Sequence, residues 1–94
     1  MPYITKPERT RYDDLIKKIT ECLLEKFPAD NGKSFSEGDL NYVISSIVWK
    51  LFDNKPGYKT GNTLVGVLDC AKQEFYRRKL ASYEDKKIIE NGDV

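Results

Sequence analysis

Leu40-Asn41-Tyr42-Val43-Ile44-Ser45-Ser46-Ile47-Val48-Trp49-Lys50-Leu51-Phe52 decides the fold. Leu40, Val43, Ile44, Ile47, Val48, Leu51 and Phe52 recur at three- and four-residue steps, the period of one helix face. Val43, Ile44, Ile47 and Val48 are β-branched and would suit a strand, but the period is 3.6 rather than 2 and the run is too long for one. Ser36 ahead of Asp39 supplies an N-cap, with Glu37 and Asp39 at the positive end of the helix. A helix over about 37–53 follows.

Upstream, Thr5-Lys6-Pro7-Glu8 has the form of a capping box with proline in the first turn. Tyr12, Leu15, Ile16, Ile19, Cys22, Leu23 and Phe27 then form one apolar stripe, opposed by Asp13, Asp14, Lys17, Lys18 and Glu21. This predicts a helix over about 6–27, ended by Pro28. The segment from Pro28 to Phe35 has no periodicity and reads as a loop, as does Asp53–Asn62 with its Pro-Gly and Thr-Gly pairs.

Downstream, Leu64, Leu68, Ala71 and Phe75, with Val65, Val67, Tyr76 and Leu80 beside them, predict a helix over about 63–81. Ser82 before Asp85 is a possible new cap, which predicts a kink or break near Ala81 and a short helix over about 83–90, closed by Asn91-Gly92. The expected fold is all-α: a single compact domain over 1–94, of three or four helices, the last long or kinked near Ala81.

Composition narrows the chemistry. The 94 residues carry 33% charged side chains and a net charge of +1, so a broad phosphate-binding footprint is not expected. No apolar run reaches the length of a membrane span and the N-terminus has no apolar signal core, which predicts a cytoplasmic protein away from membranes. With no histidine in the chain, Ser-His-Asp and Cys-His nucleophilic systems are excluded. Cys22 and Cys70 lack metal-ligand spacing and read as buried thiols.

The acids Asp39, Asp69, Glu74, Glu84 and Asp85 lack the one-turn pairing of a helical Mg²⁺ site. Gly32-Lys33-Ser34 has the tail of a phosphate-binding loop but neither the earlier glycine nor a strand signal before it. No catalytic residue, metal site or cofactor is expected, and the protein reads as a non-enzyme.

Two groups remain. Tyr76, Arg77, Arg78, Lys79 and Tyr83 combine arginine forks with aromatic rings, chemistry suited to a phosphate and a base. Against this, Arg77 and Arg78 can simply pair with Glu74, Asp69 or Glu84 on the helix surface. Tyr42 and Trp49, seven positions apart, share a face only partly opposed to the main stripe of their helix, which suits the third helix of the same chain, a second copy or a partner protein. Met1-Pro2-Tyr3-Ile4 adds an apolar arm that suits the same purpose.

The blocks Gly38–Ile44, Gly66–Arg78, Tyr83–Lys87 and Asn91–Val94 resemble a family of small uncharacterised proteins of bacteria and bacteriophages, a domain of unknown function. The resemblance implies a setting and no catalytic assignment: by analogy of setting and size, compact helical phage proteins frequently act by binding a host protein or sequestering a signalling nucleotide of antiviral defence. The leading expectation is a non-catalytic homo-oligomer that sequesters an anionic nucleotide or cyclic nucleotide through the basic-aromatic group. The alternative is a module that inhibits or adapts a host protein through Tyr42 and Trp49. A Mg²⁺-dependent nucleotide hydrolase is third, and a nucleic-acid partner is not expected.

Overall fold

The computed structural model describes residues 4–25, 27–29 and 32–94, with 27–29, 32 and 33 described in backbone only. The fold is all-α apart from one very short hairpin. Its elements are α1 (Lys6–Glu25), β1 (Phe27–Ala29), β2 (Gly32–Ser34), α2 (Glu37–Asn54), α3 (Tyr58–Phe75), a π-helical turn (Tyr76–Leu80) and α4 (Ala81–Asn91). They fall into two units: one is built from α1, the hairpin and α2, the other from Lys55 to the C-terminus.

In the first unit, α1 starts at Lys6 with Pro7 and Glu8 in its first turn, where a missing amide hydrogen and a negative charge are both tolerated. The Arg9 amide donates to the Thr5 carbonyl at 3.2 Å, the first bond of the helix. Thr20 Oγ1 donates to the Ile16 carbonyl at 2.7 Å, so this hydroxyl is satisfied without leaving the helix. The helix ends at Glu25, before the predicted Phe27.

The predicted loop over 28–35 is an antiparallel ribbon in part, with Phe27 opposite Ser34, Pro28 opposite Lys33 and Ala29 opposite Gly32. Phe27 therefore continues a strand and not the stripe of α1. Proline is compatible with this place because each strand of a two-stranded ribbon is an edge, and it biases Phe27 toward extended backbone. Gly32-Lys33-Ser34 lies within β2, with β1 before it, so it is a strand and not a phosphate-binding loop.

The start of α2 is as the sequence predicts: the Asp39 amide donates to Ser36 Oγ at 3.4 Å and the Leu40 amide to the Ser36 carbonyl at 3.1 Å. Glu37 and Asp39 occupy the acidic first turn. The helix runs to Asn54 without interruption.

The second unit contains one continuous helical run of 34 residues, about 50 Å long at 1.5 Å per residue. It starts at Tyr58, five residues before the predicted 63, because Gly57 takes φ +144° and turns the chain straight into the helix. Thr63 Oγ1 donates to the Lys59 carbonyl at 2.9 Å, and residues 58–62, read as loop, are helical. No fresh helix starts at Ser82. The residue lies inside α4 and its hydroxyl reaches the Arg78 carbonyl at 3.5 Å. Gly92, at φ +85°, closes the run, its amide donating to the Ile88 carbonyl at 2.8 Å.

Among the described residues no side chain is fully buried. Leu15 and Ile16 on α1, Ile47 and Leu51 on α2, and Val65, Val67 and Phe75 on α3 are all exposed. Local bonds along each helix therefore carry much of the order within each unit, and much of the apolar stripes stays exposed.

Candidate docking cleft and basic turn

The helices of the first unit enclose an open cleft of about 230 Å³, lined by Ile19, Cys22 and Leu23 of α1 and by Asp39, Tyr42 and Val43 of α2. Each helix contributes positions i, i+3 and i+4, the spacing that gathers three side chains on one face. The lining is chiefly apolar, with one carboxylate and one phenol. Tyr42 is 74% exposed and stands on this cleft. Trp49, 67% exposed, lies two turns further along the same side of α2.

The sequence singled out Tyr42 and Trp49 but not the cleft beside Tyr42. Ile19, Cys22, Leu23 and Val43 read as ordinary stripe members, and only the approach of two helices turns them into the walls of a recess. Both cysteines are exposed rather than buried, Cys22 within this recess and Cys70 on α3.

The other predicted group occupies the π turn and the start of α4. Arg77 Nη2 lies 3.2 Å from both Oε1 and Oε2 of Glu74, an exposed guanidinium on a carboxylate only 23% exposed. The Tyr76 hydroxyl donates to Glu84 Oε2 at 3.1 Å, which raises the pKa of the phenol above its usual 10.0. The charge of Glu84 adds to the shift, because a tyrosinate beside it would be repelled. Lys87 Nζ sits 5.5 Å from the centre of the Tyr83 ring and bonds Glu90 Oε2 at 3.1 Å.

Asp69 pairs with Lys72 at 3.7 Å and accepts from Gln73 Nε2 at 2.8 Å, so of the three candidate partners only Glu74 holds an arginine among the described contacts. Successive residues of the turn point roughly 80–100° apart, so Arg77, Arg78 and Lys79 fan around the axis instead of converging. Tyr76 and Arg77, the ring and fork best suited to a nucleotide, are each engaged by a carboxylate of their own helix.

A family model matches residues 1–94, and the chain belongs to that family, a domain of unknown function, DUF6899. No curated protein and no solved structure shows significant similarity to the chain.

Proposed function

We propose that this member of DUF6899 is a non-catalytic protein-binding module whose contact surface is the α1–α2 cleft, with Tyr42 and Trp49 as its aromatic anchors. One observation carries the reading: two large aromatic side chains stand exposed on one side of α2, the first of them on the wall of an apolar recess. Exposed tyrosine and tryptophan around a recess are the usual anchors of protein interfaces, since they bury much area at little cost in side-chain entropy. The partner is expected to present an apolar side chain to Ile19, Leu23 and Val43. The resemblance to small bacterial and phage proteins makes a host-cell protein a fitting occupant.

The test is affinity capture from the native host with the wild-type chain, Tyr42→Ala and Trp49→Ala, combined with the emission of Trp49, the only tryptophan. A discrete partner retained by the wild type, lost by both variants and blue-shifting the indole on mixing supports the reading. Capture indifferent to both substitutions, with Trp49 still emitting as a water-exposed indole, overturns it.

A second reading rests on the π turn. Such turns recur at functional sites, and this one carries Arg77-Arg78-Lys79. In this reading Arg78 and Lys79 hold the phosphate of a sequestered nucleotide, with Arg77 exchanging Glu74 for the ligand and Tyr76 or Tyr83 stacking on the base. Thermal stabilisation by one nucleotide, abolished in Arg78→Glu, supports it, and a flat response across linear and cyclic nucleotides removes it.

A further inference from the structure

Within the run from Tyr58 to Asn91, α geometry is interrupted at Tyr76–Leu80, where the Ala81 amide donates to the Tyr76 carbonyl five residues back instead of to Arg77. On entry to the turn the Tyr76 amide is shared between the Gln73 and Lys72 carbonyls. No side chain caps the N-terminal end of the turn at Phe75.

An uninterrupted α-helix rotates by about 100° per residue, so eight steps would leave Glu84 roughly 80° around the axis from Tyr76. The π turn adds one residue to a turn and removes about that angle, which lays Tyr76 and Glu84 on one line. Their 3.1 Å bond is thus available only while the turn is present. Arg77–Glu74 ties the turn to α3, and the 3.5 Å contact of Ser82 Oγ with the Arg78 carbonyl ties it weakly to α4. Tyr76–Glu84 spans it from end to end.

We infer that Tyr76–Leu80 is a register switch, latched by the Tyr76–Glu84 hydrogen bond, which sets how α4 is rotated about the axis of α3. Latched, Tyr83 falls on the extension of the Leu64-Leu68-Phe75 stripe. Unlatched, the segment returns to i→i+4 bonding and α4 turns by roughly 80–90°, putting Ser82 and Lys86 on that extension instead. A partner that reads the apolar stripe past Phe75 therefore distinguishes the two registers. The latch is accessible, because Tyr76 and Glu84 are both exposed. This inference concerns the second unit and stands independently of the cleft.

The test is NMR on the full chain, reading the hydrogen-bond coupling from the Ala81 amide nitrogen to either the Tyr76 or the Arg77 carbonyl carbon. The wild type is expected to couple to Tyr76. Tyr76→Phe and Glu84→Ala are expected to lose that coupling and gain the one to Arg77, with helix content by circular dichroism unchanged, whereas Glu84→Gln, which keeps an acceptor oxygen, retains the wild-type pattern. Deleting Lys79 removes the extra residue, so that chain is expected to be α-helical throughout and its backbone bonding indifferent to Tyr76→Phe. If Tyr76→Phe and Glu84→Ala both leave Ala81 coupled to Tyr76, or if the wild type couples to Arg77, the switch is overturned.

Discussion

The Tyr76 hydroxyl and the Glu84 carboxylate, eight positions apart in sequence, meet at 3.1 Å because a π turn lies between them. The bond needs the neutral phenol. Its contribution is therefore complete below the unfolded tyrosine value of 10.0 and is lost as pH rises through the raised value in the folded chain. Titration of tyrosinate absorbance in the wild type and in Tyr76→Phe isolates this residue from the other five tyrosines. The difference curve is expected to have its midpoint above 10.0, and a midpoint at or below that value would falsify the assignment.

On the proposed reading, Trp49 serves a partner and contributes little to the fold. With the indole 67% exposed, Trp49→Ala is expected to change stability by no more than about 0.5 kcal/mol, the usual range for surface positions. Urea unfolding followed by circular dichroism measures this directly. A loss several times larger would mean that the indole packs within the chain and is not free to anchor a partner.

Ser36 caps α2 through the Asp39 amide at 3.4 Å, a long bond. Ser36→Ala is expected to cost about 0.5–1 kcal/mol, the lower part of the range for N-caps, and Ser36→Asp to restore it. The midpoint of urea unfolding reads both. An alanine variant as stable as the wild type would show that the hydroxyl does not hold the helix end.

Gly57 and Gly66, at the N-cap and in the interior of α3, should respond in opposite directions. Gly66 lies inside the helix with nothing within 4 Å of an added Cβ, so Gly66→Ala is expected to stabilise by about 0.5–1 kcal/mol. Gly57 also has open space, but its φ of +144° is strained for any residue with a Cβ. Gly57→Ala is expected to destabilise and to lower the thermal midpoint. Equal and small shifts at both positions would contradict the assigned backbone at Gly57.

Cys22 and Cys70 are exposed free thiols. Both are expected to react with a thiol reagent in buffer at rates close to those in denaturant. Docking of a partner in the α1–α2 cleft is expected to protect Cys22 and leave Cys70 reactive. Two thiols that react only after denaturation would place them in a core, as their apolar sequence neighbours suggest.

The helices were legible because their signals are local. Leu40 through Phe52 repeats at 3.6 residues, Ser36 precedes Asp39 at capping distance, and Gly92 follows the last turn, so each element is specified by residues a few positions apart. The misread segments are those where two local signals compete. Pro28 with Gly32 reads as loop, yet three residues on each side suffice for a ribbon. Ser82 before Asp85 reads as a cap, yet the helix passes through both.

The amino-acid sequence thus determined by itself that the chain is all-α, where its apolar stripes lie, and that Tyr42 and Trp49 stand apart from them. Only the tertiary structure decided that Ile19, Cys22 and Leu23 face Asp39, Tyr42 and Val43 across a cleft, and that the Tyr76 hydroxyl donates to Glu84. Side-chain periodicity is a property of neighbours along one helix. A recess depends on how two helices approach, and a π turn on a single backbone register, and neither leaves a repeating mark on the residue order.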